Sequence, residues 1–357
     1  MNSERYNRQT ILKDFGLESQ ERLAQTKVLV VGAGGLGIPV LTYLNAMGVG
    51  TLGIVDADEV SVSNLHRQVL YGENDIGHSK VAAAIKKLAS QNSDTKLIPL
   101  HTFLTRDNAL EVIKDFDLVV DASDNFPTRY LINDACVILK KPFVYGALHS
   151  FEGQVSVFNY QGGPTYRCLF PNMPKANEIP NCNEHGVLGI IPGIVGNLQA
   201  LEVIKVLTGI GEVLSGKLLL YNGLEQNIQK IKFSCIPLNL EIEALQSEYT
   251  FDCLTALNSI NASDFEVLYQ SKKVQTIDVR TLQEYQQFHL KNTVSHPLSE
   301  IENWKQQLNL NEPIYLICES GIRSIQAQLY LQDYKPEANF INVNGGINKL
   351  RSYAAKH

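Results

Sequence analysis

No run of 18 apolar residues occurs in this 357-residue chain, so no segment reads as a transmembrane helix. Positive charge is not in excess either: 31 Lys and Arg stand against 37 Asp and Glu, a formal charge of −6. Binding a phosphate backbone needs a basic face, so nucleic acid is not an expected partner. The six cysteines, at 136, 168, 182, 235, 253 and 318, have no paired spacing. Such a scatter suits free thiols in a reducing compartment, not a disulfide framework. The polar opening MNSERYNRQT lacks the apolar core of a secretory signal, and a cytoplasmic location is expected. Repeats and low-complexity tracts are absent. What is left is an ordinary globular composition, 44% hydrophobic and 19% charged, in a chain long enough for two cores.

The first chemistry-bearing feature is a βαβ pattern. An apolar strand from Lys27 to Val31 runs into GAGGLG at 32–37, a helix follows through Leu41 and Leu44, and a second strand ends at Asp56. Gly32, Gly34, Gly35 and Gly37 leave backbone N–H groups bare at a helix start, where the dipole favours phosphate. Asp56, 19 residues after Gly37, is placed to accept ribose hydroxyls. Alone, the unit says "nucleotide", and an NAD-dependent oxidoreductase is the default. The next stretch argues otherwise. Asp58, Ser63, Asn64, Leu65, His66, Arg67 and Gln68 lie beyond the strand's carboxyl end, and Lys80 opens another helix. Two cations beside a phosphate loop suit a triphosphate better than a pyrophosphate. A third strand, 117–121, ends in Ala122-Ser123-Asp124-Asn125. A carboxylate there can hold Mg²⁺ against phosphate oxygens. Asp124 is the expected ligand, with Asp121 as the structural alternative.

The second feature is ICESGIRS, 317–324. A strand from Pro313 to Ile317 ends at Cys318, Gly321 permits a tight turn, and Arg323 and Ser324 open an amphipathic helix. Backbone N–H groups and a helix N-terminus converging on a cysteine favour a sulfur anion, a nucleophile or persulfide carrier. Glu319 puts a carboxylate beside it, which repels anionic donors such as thiosulfate.

With the strand 274–280 and the late Asn344-Gly345-Gly346-Ile347, residues 258–357 resemble a rhodanese domain, a sulfurtransferase module. The preceding part resembles the ubiquitin-activating superfamily in its MoeB/ThiF branch. The matching elements are RYNRQ at 5–9, GAGGLG, Asp56-Ala-Asp58, SNLHRQ at 63–68, Lys80 and Asp121-Ala-Ser-Asp124-Asn125. Further on come Glu152-Gly-Gln154, Tyr166-Arg-Cys168, Gly186 to Gly189 and Gly196 to Glu202. The chain as a whole looks like a two-domain adenylyltransferase–sulfurtransferase. The expected architecture is a doubly wound, largely parallel Rossmann-like α/β domain over 1–240 and a linker over 241–257. A small α/β rhodanese-like domain follows over 258–357.

This resemblance implies ATP and Mg²⁺ as cofactors and a small ubiquitin-like sulfur carrier ending in Gly-Gly as partner. Adenylation of the carrier would use Asp124, Arg67, Lys80 and Arg8, the last on an arm reaching a partner subunit's site, hence a homodimer. Cys318 would then deliver persulfide sulfur received from a cysteine-desulfurase-type donor, with Arg323 and Cys182 as further candidates. The carrier would serve molybdopterin synthesis, with thiamine or another pathway as the alternative. Cys182, near His185, is either a transfer thiol or a passive one. Many relatives hold zinc with two C-x-x-C pairs. Here each pair keeps one thiolate, Cys168 and Cys235, and two cannot close a tetrahedron, so no zinc is expected. The rival readings are the NAD enzyme with a redox-sensing domain and a carrier-binding scaffold without turnover. Limited proteolysis is expected to cut within 241–257 first; earlier cleavage inside 60–200 would overturn that boundary.

Overall fold

Alternating strands and helices can bury their apolar faces only as a sheet covered on both sides. The computed structural model describes residues 3–174, 186–249, 258–271 and 274–354, which divide into two compact units, one up to Tyr249 and one after it.

The first unit contains β1 (Lys27–Val31), β2 (Thr51–Val55), β3 (Lys96–Leu100), β4 (Leu118–Asp121), β5 (Phe143–His149), β6 (Glu152–Phe158), β7 (Lys217–Asn222) and β8 (Asn227–Lys232). They form one sheet in the order β3-β2-β1-β4-β5-β6-β7-β8. Pairings from β3 across to β5 are parallel. Those from β5 to β8 are antiparallel, so an antiparallel extension is added to the expected parallel-rich, Rossmann-like sheet. After the exposed Lys27, the β1 residues Val28 to Val31 are all apolar because both faces of the strand are covered. Val28 and Val30 enter one core with Leu41, Leu52 and Ile54. Leu29 and Val31 enter the other with Tyr130, Phe143 and Phe158. By contrast β8, NIQKIK, sits at the sheet edge with its lysines exposed, which blunts further strand pairing.

The helix Ile190–Thr208, 19 residues long, is apolar enough by length and composition to cross a membrane. It is not an unbroken apolar run, since Asn197, Gln199, Glu202 and Lys205 interrupt it. Its Ile191, Val195, Val203 and Ile204 pack into the first core, which is why it is apolar. Within the first unit, residues 241–249 make contacts of their own: the Arg106 Nε donates to the Gln246 carbonyl at 3.0 Å and the Tyr249 hydroxyl to Asp134 at 2.7 Å.

In the second unit β9 (Ser259–Asn261), β10 (Gln275–Asp278), β11 (Val294–Ser295), β12 (Ile314–Ile317) and β13 (Phe340–Asn344) form an all-parallel sheet. Its order is β11-β10-β12-β13-β9. One face carries Trp304, Leu316 and Phe340, the other Phe265, Ile317 and Val343.

The strand order of the large sheet reverses between β1 and β4, and the crevice between their carboxyl ends is the general ligand position in such folds. Gly32 stands there at φ +105°, its N–H on the Val55 carbonyl at 2.8 Å. A Cβ at Gly32 would lie 2.5 Å from the Ala122 carbonyl oxygen. Gly32→Ala is therefore expected to cost about 1–3 kcal/mol, through overpacking and a forbidden φ. A lowered urea midpoint of the first unit would show it, and an unchanged midpoint would contradict this packing.

Candidate functional site

The glycine loop is closed by its own backbone. A Cβ at Gly37 would fall 1.8 Å from the Gly32 oxygen, so only glycine lets the helix Gly37–Ala46 start so close to the strand end. The Asp56 carboxylate accepts the Ala33 N–H with one oxygen and the Asp58 N–H with the other, both at 2.8 Å. It thus ties the loop to the end of β2, leaving one lone-pair site on each oxygen for ribose hydroxyls. Burial raises its pKa, opposed by Lys80 and by these two N–H groups. The Tyr71 hydroxyl bonds the Ala33 carbonyl at 2.9 Å and the Lys80 carbonyl at 3.2 Å, fastening loop to helix start. Tyr71 was not singled out from the sequence, since nothing local marks a tyrosine as a loop brace.

Lys80 opens its helix as expected, yet its ammonium is not free. It pairs with Asp58 at 2.8 Å, with the lysine side chain 7% and the aspartate 57% exposed. The SNLHRQ stretch forms a short turn. Asn64 Oδ1 accepts the Ser61 N–H, and Arg67 Nη1 donates to the Ser63 carbonyl at 2.9 Å beside the His66 ring. Leu65 is half-buried, His66 and Ser63 are exposed. Gln68 is buried, with its Nε2 beside Gly34 and its Oε1 without a hydrogen-bond partner. Arg67 lies along the loop, its Cδ 3.5 Å from where a Gly35 Cβ would be.

At the end of β4, Asp121 and Asp124 take different roles. Asp121 is fully buried, and one oxygen accepts the Ser123 N–H at 3.0 Å and hydroxyl at 2.6 Å. It folds the turn and caps no helix. The cap is Asn125, whose Oδ1 accepts the Thr128 N–H at 2.9 Å. Asp124 is exposed, touched by the Asn125 amide at 3.4 Å. The donor chemistry fits a magnesium nucleotide: a hard exposed carboxylate, a glycine loop at a helix start, and Lys80 and Arg67 alongside.

Arg8 is exposed in the last turn of the helix Ser3–Thr10. The neighbouring Gln9 donates to the carbonyl of Met47, which caps the far end of the glycine-loop helix, about 15 Å along a ten-residue helix from the loop. Arg8 is thus not brought to this unit's own loop.

In the second unit Cys318 is fully buried at the end of β12. Its sulfur receives the Gly321 N–H at 3.1 Å, and the Ser324 hydroxyl lies 3.4 Å from it, shared with the Gly321 carbonyl at 3.0 Å. A row of loop amides had been expected; one amide and one hydroxyl are found. Gly321, at φ +98°, turns the loop into the helix Ile322–Tyr334. The loop is held from outside by Ile347 N–H on the Cys318 carbonyl at 2.8 Å and Asn348 N–H on the Glu319 carbonyl at 3.0 Å. A Cβ at Gly346 would sit 2.1 Å from that Cys318 oxygen, which accounts for the Gly345-Gly346 pair.

Two arginines face three carboxylates around the loop. Arg280, 1% exposed, grips Asp278 and also donates to Glu319 at 2.8 Å. Glu319 thereby shares one buried cation with Asp278. Arg323 forms a bidentate pair with Glu284 at 2.7 and 2.6 Å. Cys168 and Cys235 adjoin each other in the first unit, and no three potential metal ligands gather among the described residues. Cys182 and His185 lie outside the described residues.

Comparison with known proteins matches residues 6–236 to the ThiF family and residues 261–353 to the rhodanese-like domain. A sulfur carrier protein adenylyltransferase of Thermus thermophilus is 53% identical, over 64% of this chain and 86% of the relative. A probable molybdopterin-synthase adenylyltransferase of Porphyra purpurea is 41% identical, over 96% of this chain and 91% of its own. The adenylyltransferase and sulfurtransferase MOCS3 of Aedes aegypti is 38% identical over 96% and 85%. Among solved structures, E. coli MccB in complex with MccA-N7isoASN aligns with TM-score 0.60 and 22% identity. It covers 68% of this chain and 75% of that one, a likeness of fold.

The Glu284–Arg323 pair makes a pH prediction. Burial raises the Glu284 carboxyl, but hydrogen bonds from Arg323 and Thr281 outweigh it and hold it at about 2. A depressed carboxylate adds stability that is full above its unfolded value, near 4.3, and lost as pH falls toward 2. Partial exposure limits the effect to about 1 kcal/mol. Glu284→Gln should lower the urea midpoint of the second unit at pH 6, with the gap from wild type closing between pH 5 and about 2. A gap independent of pH would contradict the pairing.

Proposed function

The chain belongs to the ThiF family and carries a rhodanese-like domain, and on that premise we propose how its two units divide one sulfur-mobilising reaction. It is an ATP-using adenylyltransferase with a sulfurtransferase domain, acting on a small sulfur-carrier protein. The observation that carries the assignment of roles is the glycine loop, Lys80, Arg67 and Asp124 built onto the strand ends at the sheet's switch point.

In this reading the carrier's C-terminal Gly-Gly carboxylate attacks the α-phosphorus of ATP, the bond to pyrophosphate breaks, and an acyl-adenylate forms. The loop N–H groups receive phosphate oxygens, Asn64, Gln68 and the loop fix the nucleotide, and Asp56 takes the ribose hydroxyls. Lys80 exchanges Asp58 for a phosphate oxygen, with Arg67 beside it. Mg²⁺ at Asp124 would supply charge neutralisation for the β- and γ-phosphates. Arg8 serves the site of a second copy in a homodimer. Its distance from its own loop supports this, as does the apolar groove of about 650 Å³ walled by Leu12, Phe15, Tyr43 and Leu201 beside it.

The persulfide on Cys318, charged by a protein persulfide donor of the cysteine-desulfurase type, attacks the acyl carbon and AMP departs. The acyl disulfide so formed needs a second thiol to release the thiocarboxylate, a part we assign to Cys182. Carboxylates hold both Arg280 and Arg323, which leaves neither for thiosulfate and supports a protein donor. Molybdopterin synthesis is the favoured destination. One of the relatives matching along nearly the whole chain bears that name, and the relative named for a sulfur carrier in general matches 64% of the chain. The cytoplasm is the proposed location.

Two variants test the division of labour. Asp124→Ala should lower carrier-dependent pyrophosphate exchange by orders of magnitude. Cys318→Ser should leave exchange intact and abolish the mass gain on the carrier that marks oxygen replaced by sulfur. Exchange unaffected in the first, or normal thiocarboxylate with the second, would sink the corresponding role.

A further inference from the structure

The first unit brings together two thiols that the reaction does not use. Cys168 lies in the short helix Tyr166–Leu169, and Cys235 follows the end of β8. The Cys168 sulfur receives the Ile236 N–H at 3.2 Å, from a residue 68 positions away and next to Cys235. The Thr165 N–H at 3.4 Å and the Asn239 amide at 3.7 Å add to it, and the Thr165 hydroxyl lies at 3.5 Å. Burial pushes this thiol up, but those hydrogen bonds outweigh it and bring it below its ordinary value. Burial raises Cys235, and the neighbouring Cys168 sulfur raises it further. Both residues are half-buried, neither sealed in a core. One thiol is thus set up as the attacking group and the adjacent one as its resolving partner. A metal does not explain the arrangement: two thiolates leave a tetrahedral ion half-bound, and no third ligand joins them among the described residues.

We propose that Cys168 and Cys235 form a reversible disulfide, a peroxide-sensitive modification site that fastens the segment after β8 onto the first unit. The Cys168 thiolate attacks one oxygen of hydrogen peroxide, the O–O bond breaks, and the leaving hydroxide takes a proton to become water. The sulfenic acid so formed is attacked by Cys235, which loses its proton. The S–S bond forms as the second hydroxide leaves, again as water. Two thiols give two electrons to one peroxide, and an external thiol reverses the step. The covalent link then joins residues that only non-covalent contacts hold together in the reduced chain, and it closes a long loop, the arrangement in which a crosslink most restricts the unfolded state.

The experiment uses the full-length protein, reduced, desalted, treated with hydrogen peroxide, blocked with iodoacetamide and digested. A peptide pair linked through Cys168 and Cys235 is expected, and it should vanish with dithiothreitol. Cys235→Ser should leave Cys168 as a sulfenic acid trapped by dimedone, whereas Cys168→Ser should leave Cys235 free to alkylate at the same peroxide dose. The proposal is overturned if both thiols remain alkylatable in treated wild type or if Cys168 is found linked to another cysteine. A full equivalent of zinc protecting both thiols in the untreated protein would overturn it equally.

Discussion

A carboxylate that receives two backbone N–H groups organises the nucleotide edge of the first unit. Asp56 binds Ala33 in the glycine loop and Asp58 two residues on, and Asp58 in turn holds Lys80. Remove the first carboxylate and the loop loses its tie to β2 while the lysine loses the placement of its partner. The asymmetry of the ion pair matters for ligand exchange. The cation is buried and the anion mostly in water, so an incoming phosphate competes with a screened partner, not a sealed one. A buried lysine facing a buried aspartate would resist that exchange through the cost of stranding a charge.

Much of this edge was legible in the sequence because its signals are local. The apolar run into glycines, the acid closing β2 and the helix opening at Lys80 each fall within a few residues, and strand β1 begins and ends where the apolar run does. The antiparallel extension β5–β8 was not legible. Its strands carry no period that distinguishes them from parallel ones, and their direction depends on pairings far apart in the chain. The roles of Asp121 and Asn125 were blurred for a different reason. A carboxylate after a strand can fold a turn or face a ligand, and only burial separates the two.

The same limit governs the sulfur loop. Cys318, Gly321 and Ser324 are neighbours in sequence, and their convergence could be read directly. Glu319 looked like an isolated negative charge, because its partner Arg280 comes from a different strand end 39 positions earlier. Arg323 looked like a cation available to substrate, because Glu284 is equally distant along the chain. Reading charge from sequence overestimates the field wherever pairing partners are non-local.

The two loops share one local plan, a strand end, a glycine turn and a helix start, yet they dispose of their donors differently. In the first unit the loop's fixed contacts run through Asp56, Tyr71 and the glycine backbone, and the cations flank a crevice at the sheet's switch point. In the second, the Gly321 N–H and the Ser324 hydroxyl are already spent on the loop's own sulfur and carbonyl, and both arginines are held by carboxylates. Donors left available suit an anion that arrives and departs; donors committed internally suit an anion carried on the protein itself. The choice between binding and carrying is therefore made by what completes the hydrogen bonds of each turn. That is why counting the cations named at each loop, Lys80 and Arg67 against Arg280 and Arg323, would not have distinguished them.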